Sequence, residues 1–197
     1  DLKKKIKSKF FGKIYNIEAS YNYGRFNKIK NGWRNTKNYD VSLGGGIHMI
    51  DLINWFLNKK PLEVIALGYK NKNLKKYRKV SDCVLLLKYD KNVSVKISVI
   101  ATSPYKHFHE IKIFSNKCTL IHNINKSEIM KGFEKKNKSI KLKETYPQKK
   151  NRSFLIDNFV NSLVDKNKKH IVNQKDVIDT MCVALAAEKS LKNFKKV

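Results

Sequence analysis

The sequence predicts an α+β domain built on one open, mainly antiparallel sheet with helices packed on one face. Short β-branched runs follow one another closely after Pro61, which indicates strands. Apolar residues on either side of that region recur at helical spacing. Hydrophobic residues make up 41% of the 197 residues, which is enough for a buried core. Because the turns between the runs are short, neighbouring strands are expected to be antiparallel.

Strands are predicted where apolar and polar residues alternate or where β-branched residues cluster. The predicted strands cover 13–23, 62–69, 80–89, 93–102, 108–114 and 118–122. A further strand at 140–146 is suggested after a lysine-rich stretch. Val84 to Leu87 are all apolar, so this strand places apolar side chains on both faces of the sheet. That pattern favours a homo-oligomer that assembles through the sheet face.

Helices are predicted from apolar residues at a spacing of three and four. One covers 47–57, is entered through three glycines at 44–46, and ends before Pro61. Two more, at 153–164 and 174–194, close the chain, with Asn173 as the N-cap of the second and Asp176 three residues later.

The net charge of +27 raises the question of nucleic-acid binding. Only four of the 43 basic residues are arginine, the residue best suited to bidentate base and phosphate contacts. Lys, Asn and Ile together are what an A/T-rich genome encodes, so codon composition can account for much of the charge. We therefore expect only weak association with nucleic acid, lost near physiological salt, and no specific nucleic-acid partner.

No apolar run approaches the roughly 20 residues of a membrane span. Cys83, Cys118 and Cys182 are widely spaced, which indicates free, buried thiols in a reducing cytoplasm.

The segment Gly44-Gly45-Gly46-Ile47-His48-Met49-Ile50-Asp51 is the best candidate for chemistry. Glycines allow a close backbone approach to a ligand, and a helix N-terminus favours negative charge. His48 near that terminus suits a base or a hydrogen-bond donor, and Asp51 shares its helix face. The same residues could equally form a tight turn before a structural histidine. The spacing is not that of a dinucleotide-binding fingerprint.

These glycines, followed by Ile-His-Met-Ile-Asp-Leu-Ile-Asn-Trp-Phe-Leu and Pro61-Leu62-Glu63-Val64, resemble the C-terminal domain of the glucose-fructose oxidoreductase/inositol dehydrogenase/MocA family. The resemblance implies a protein that oxidises or reduces a hydroxyl or keto group of a sugar or nucleotide sugar with NAD or NADP. It also implies that an N-terminal Rossmann domain, absent here, mainly binds the cofactor. Residues 1–12 would be the remnant of an interdomain helix, and 13–197 a substrate-binding and oligomerisation domain. The isolated chain is then expected to be inactive.

By position, the resemblance makes His48 the acid or base. The family has an Asp four residues before this His, where this chain has Gly44. Asp51 or Asp40 could substitute, His48 could work with the other domain's lysine alone, or the chemistry could have changed. The last possibility leaves a catalytically silent sugar-binding or scaffold domain as the alternative, with a basic nucleic-acid-binding module behind it.

The remaining candidates surround this segment. Gly45 and Gly46 are expected to approach the cofactor. The long loop 24–42 would border the substrate, with the candidate contacts Arg25, Trp33, Arg34, Lys37 and Tyr39. His107 and His109 share one face of a strand, but without a third ligand in view they are interpreted as sheet surface, and no metal site is predicted.

Overall fold

A computed structural model describes residues 2–36, 39–71, 80–133, 138–142, 152–165 and 167–193. Its helices are α1 (Leu2–Lys7), α2 (Phe26–Lys30), α3 (Ile47–Leu57), α4 (Arg152–Val164) and α5 (Gln174–Asn193). Its strands are β1 (Ile14–Asn22), β2 (Glu63–Tyr69), β3 (Asp82–Tyr89), β4 (Val93–Ile100), β5 (Phe108–Ser115), β6 (Cys118–His122), β7 (Ser127–Lys131) and β8 (Lys138–Lys141). The predicted fold class is confirmed.

The strands form one sheet in the order β2-β3-β4-β1-β5-β6-β7-β8. Neighbouring strands are antiparallel except for β1 and β4, which run parallel. β7 was not expected from the sequence, because it is a short strand in which Ile129 is the buried residue. The strand suggested at 140–146 begins earlier, and its residues 143–146 lie outside the described part of the chain.

α3 and α5 cover one face of the sheet on the side of β2, β3, β4 and β1. Alternate residues of each strand point toward these helices, so that Ile17 and Ala19 of β1 are buried while Glu18 between them is not. Asn173 caps α5 as predicted, since its Oδ1 accepts a hydrogen bond from the Asp176 backbone N–H at 2.9 Å.

The three glycines do not precede the helix, as the sequence analysis expected, but belong to it. Ser42–Gly46 forms one wide π-helical turn that runs directly into α3, and Gly46 has helical φ and ψ of −58° and −32°. A Cβ at Gly46 would lie 2.9 Å from a methyl of Val99 on β4. The glycines therefore allow the helix to begin flush against the sheet.

α4 has the predicted apolar residues, but it turns them outward. The exposed side chains include Phe154, Ile156, Phe159, Val160 and Leu163. Its buried residue is polar: the Ser162 hydroxyl lies 2.6 Å from Nδ1 of His170 and donates to the Phe159 carbonyl. Phe159 contacts the ring of His170, with 5.9 Å between the centroids, while these exposed α4 side chains lie outside the apolar core of the described residues.

Two further observations concern the chain as a whole. None of the helices in the described ranges has the length and apolar character needed to cross a membrane. Cys83 and Cys118 are buried free thiols as expected, whereas Cys182 is exposed, because it lies on the outer side of α5.

Candidate functional site

A cavity of about 550 Å³ lies beside α3, at the edge of the part of the sheet that this helix covers. One wall is α3 and the floor is formed by β1, β5 and β6. Its polar and aromatic lining consists of Tyr21, His48, Asp51, Trp55, His107, His109, Glu110 and His122. Four of the five histidines of the chain therefore line one cavity.

Strand register brings these side chains together. Tyr21 of β1 pairs directly with His109 of β5, and Ile111 of β5 pairs with His122 of β6. Directly paired residues share a sheet face, and residues two apart on one strand share it as well. The helix-covered face of the sheet thus carries a cluster of rings at the edge of α3.

His48 reaches this cluster from the helix side. Its ring centroid lies 5.8 Å from that of Tyr21 and 6.3 Å from that of His109, and both pairs are stacked. The side chain of His48 remains exposed. It is therefore accessible to a ligand in the cavity while the buried Tyr21 ring supports it from below.

The strand histidines are held neutral. Burial, followed by repulsion from His107, lowers the pKa of His109 to about 4. Burial also lowers the pKa of His107 and of His122. Their rings can therefore exchange hydrogen bonds with a neutral ligand near pH 7. Within the described ranges, no three His, Cys, Asp or Glu side chains are arranged to hold a metal ion.

The two candidate carboxylates lie at different places relative to the cavity. Asp51 borders the cavity, but its Oδ1 accepts a hydrogen bond from Thr180 of α5 at 3.2 Å. Asp40 is buried close to Cys83, where burial first and this carboxylate second raise the pKa of the thiol to about 12. A catalytic role for either carboxylate stays a prediction.

Tyr39 occupies the space next to Gly44. A Cβ at Gly44 would lie 2.5 Å from the Tyr39 hydroxyl and 2.6 Å from the edge of its ring. Burial raises the pKa of this phenol, so it stays protonated near pH 7. Where the resemblance leads one to expect a carboxylate, this chain therefore places a neutral phenol from the preceding loop.

Gly45 lies against the buried Tyr21, because a Cβ there would be 2.7 Å from that ring. Together with the contact of Gly46 on Val99, this explains the glycines by close packing on the sheet. Their predicted approach to a cofactor is not tested by these contacts and stays a prediction.

The loop candidates form a second aromatic group beside the cavity. The Arg34 guanidinium lies 4.3 Å from the Trp33 ring centroid and 5.8 Å from the rings of both Tyr23 and Tyr39. Tyr23 in turn stacks on Tyr21, with 6.3 Å between the centroids. Trp33 is largely exposed, which leaves one side of its ring free for a ligand. Arg25 is exposed and acts electrostatically on His107, while Lys37 lies outside the described residues.

Sequence reasoning missed most of the cavity floor. It interpreted His107 and His109 as sheet surface and gave no role to Tyr21 or His122. The alternation of His107 with His109 did signal a shared face, but the facing helix could not be identified from it. Finding Tyr21 and His122 required the register of three strands.

The fold, with its one open sheet covered by α3 and α5, can be compared with known protein families. The family model for the oxidoreductase family C-terminal alpha/beta domain, GFO_IDH_MocA_C, matches residues 3–197, and the chain belongs to this family. A search of curated proteins finds no match.

Solved structures share the fold at low sequence identity. Scyllo-inositol dehydrogenase from Lactobacillus casei, with bound NAD(H) and scyllo-inositol, is 19% identical with a TM-score of 0.73 over 99% of this chain and 59% of its own. An oxidoreductase from Agrobacterium radiobacter in complex with NAD+, L-tartaric acid and magnesium is 13% identical with a TM-score of 0.74. An NAD-binding protein from Listeria innocua is 16% identical with a TM-score of 0.75. Each of these last two matches covers all of this chain, and the chain spans 60% and 62% of their lengths.

Proposed function

We propose that this chain is the substrate-binding half of an NAD(P)-dependent oxidoreductase that acts on a hydroxyl or keto group of a polyol, sugar or nucleotide sugar. The observation that carries the proposal is the cavity in which the accessible His48 faces neutral imidazoles and the Tyr21 ring. Family membership and the scyllo-inositol dehydrogenase among the solved structures of the same fold support it.

The chain by itself fits a dinucleotide poorly. The glycines at 44–46 lack the G-x-G-x-x-G spacing of the turn that binds a dinucleotide pyrophosphate. We therefore propose that NAD or NADP is held mainly by a Rossmann domain of the same polypeptide, and that residues 1–12, of which Leu2–Lys7 form α1, belong to the segment that joins the two domains. The isolated chain should then bind the cofactor no more than weakly.

The proposed role of His48 is proton transfer at the substrate oxygen. A secondary alcohol that loses hydride must also lose its hydroxyl proton, and an accessible imidazole can accept it. Tyr21 and His109, stacked beside His48, fix the position of that ring. The exposed Trp33 ring, with Arg34 behind it, is suited to contact a sugar face or a phosphate at the cavity entrance.

The test uses the complete polypeptide, with its nucleotide-binding domain, and a panel of inositols, sugars and nucleotide sugars. We expect NADH or NADPH formation with at least one of them. His48→Gln should lower kcat on the order of a hundredfold or more, whereas His170→Gln, outside the cavity, should leave it unchanged. Full activity in the His48 variant would contradict the assigned role.

The alternative is a catalytically silent sugar-binding or scaffold domain, and the pairing of Gly44 with Tyr39 favours it. If the absent carboxylate is the reason for silence, the double substitution Gly44→Asp with Tyr39→Ala should make room for it and produce activity. Gly44→Asp alone should not, because Tyr39 fills the space. Polyol binding without turnover in both proteins would support the silent domain.

We further propose that the outward apolar face of α4 contacts the cofactor-binding domain. The face is apolar and exposed, and the solved relatives are longer than this chain by a part that the match does not cover. In the complete polypeptide, Phe159→Asp should weaken the contact and lower the affinity for the cofactor. It should leave polyol binding by this domain unchanged.

Self-association through the open sheet face is the remaining proposal. That face combines exposed Leu67 and Leu86 with a charged centre in which Glu18 bridges Lys96 and Lys112 at 3.8 and 3.6 Å. Because the positive charge of each chain opposes association, we expect a dimer or tetramer that is more stable at moderate than at low salt. Sedimentation across a salt series decides it, and a monomer at every salt concentration would contradict it.

A further inference from the structure

A tight turn after β1 brings the end of that strand against the segment leading into β5. Gly24 has a φ of 59°, and a Cβ there would lie 2.4 Å from backbone atoms of both Tyr105 and His107. Only glycine combines this conformation with so close an approach. As a result, Nδ1 of His107 lies 3.0 Å from the carbonyl oxygen of Tyr23.

This contact decides which ring nitrogen of His107 carries the proton. A carbonyl oxygen only accepts hydrogen bonds, so Nδ1 must donate. A neutral imidazole has one N–H, and Nε2 is therefore left with a lone pair that can accept a hydrogen bond. The ring lines the cavity together with His48 and His109.

The surroundings favour the neutral ring. Burial lowers the pKa of His107, and the positive charge of Arg25 lowers it further. Together they outweigh the hydrogen bonds to the backbone of Tyr23 and Asn22, which raise it. The other groups that face the ring are Tyr21, His48 and His109. Glu110 borders the same cavity, but the Tyr105 hydroxyl donates a hydrogen bond to its carboxylate at 3.0 Å.

We propose that His107 is a substrate-positioning residue whose Nε2 accepts a hydrogen bond from a second hydroxyl of the substrate, next to the one on which His48 acts. The inference rests on the proposed function and narrows its substrate class. A lone pair attracts an O–H group and repels a carboxylate or phosphate oxygen. The part of the substrate inside the cavity is therefore an uncharged polyol or sugar ring, and any charged group lies outside it.

The first test reads the tautomer. Long-range proton–nitrogen NMR of the chain labelled with nitrogen-15 histidine distinguishes the two neutral tautomers from the cation. We expect His107 to be neutral and protonated at Nδ1 at pH 7. A proton on Nε2, or a cationic ring, at that pH would overturn the proposal.

The second test uses scyllo-inositol, myo-inositol and glucose as probes, with L-tartrate as the anionic comparison. A bound polyol should shift the Nε2 resonance of His107, and tartrate should not. Binding seen at His48 without a change at His107, or a preference for tartrate, would contradict the inference. So would the absence of binding by every polyol at millimolar concentration.

Two variants separate positioning from a structural role. Asn at 107 can keep the donor to the Tyr23 carbonyl while removing the acceptor, and Gln can place an amide oxygen near the Nε2 position. We expect His107→Asn to fold and to weaken polyol binding on the order of tenfold, the equivalent of one lost hydrogen bond. His107→Gln should bind polyol within a few-fold of the parent chain. Equal loss in both, with thermal melts unchanged, would contradict the acceptor role.

The outcomes also distinguish this inference from the proposed function. Activity that depends on His48 in a protein whose His107 carries its proton on Nε2 rejects the inference alone. The expected tautomer and polyol binding, without turnover by the complete polypeptide, reject the proposed function alone.

Discussion

Two helices with similar apolar periodicity meet opposite surroundings in this protein. α3 buries Met49, Ile50, Ile53 and Phe56 against the sheet and α5. In α4 the apolar side chains are exposed, and the inward contacts are polar, such as the Asn158 Oδ1 that accepts from the Ile171 backbone N–H at 2.9 Å. Periodicity therefore identifies an apolar face without revealing whether its partner belongs to the same domain.

The difference has an energetic consequence. Side chains on α3 have already left water, so each removed methyl group costs transfer energy and leaves a cavity. Side chains on α4 remain in contact with water in this domain, and shortening them costs little here. The apolar face of α4 contributes a favourable free energy of burial only when a partner covers it.

The largest expected effect compares two isoleucines. Ile53 in α3 is fully buried and Ile156 in α4 is 66% exposed. We expect Ile53→Ala to lower the free energy of unfolding by about 2–5 kcal/mol, and Ile156→Ala by less than about 0.5 kcal/mol. Urea denaturation of both variants measures the difference. Equal losses would mean that α4 packs against this domain in solution.

The next effect concerns the close packing of the glycines at the start of α3 against their aromatic neighbours. Gly45→Ala places a methyl group against the buried Tyr21 ring, which should cost about 1–3 kcal/mol of unfolding free energy. Gly44→Ala is the matched control, since displacing the half-buried Tyr39 ring should cost less unfolding free energy than displacing the buried Tyr21 ring. Denaturant midpoints compare the two. A larger loss at Gly44 would show that Tyr39, and not Tyr21, is the rigid neighbour.

A smaller effect separates the polar contacts of the two helices. The buried Tyr89 hydroxyl donates to Asn54 of α3 at 2.7 Å, and Tyr89→Phe should cost about 1 kcal/mol of unfolding free energy. Ser162→Ala in α4 should cost less, because water can replace the hydroxyl at the exposed His170. Thermal denaturation checks both, and the reverse order would contradict this reading of the contacts.

The last expected effect is a pH dependence of stability at the α3 side of the cavity. The pKa of His109 falls from 6.5 to about 4 on folding, because burial and the neighbouring imidazoles disfavour the charged ring. As pH falls from 6.5 toward 4, the unfolded chain takes up the proton first, so stability that is complete above 6.5 is progressively lost. His107 and His122 act in the same direction.

Replacement of that ring tests the assignment. We expect His109→Gln to reduce the slope of unfolding free energy against pH between about 4 and 6.5. His170→Gln, beside α4, is the control. Guanidinium denaturation at several pH values gives both slopes, and an unchanged slope in the His109 variant would contradict its neutral burial.

Some of the architecture could be predicted from local pattern. Alternation along 118–122 gave the bounds of β6, and the apolar spacing at 47–57 those of α3. The cap of α5 followed from Asn173 and Asp176. The π-helical turn at Ser42–Gly46 could not be predicted in this way, because a run of glycines suggests a flexible turn unless the surface on which it packs is known.

Local sequence pattern was enough to show which face of strands such as β1 and β4, and of α3, is apolar, since side-chain direction follows from backbone geometry. The position of His48 in the first turn of α3 could also be predicted from the local pattern. Tertiary structure alone decided that Tyr21 pairs with His109 and that Tyr39 fills the space beside Gly44. Register and loop packing depend on contacts between residues far apart in the chain, and no local period encodes them.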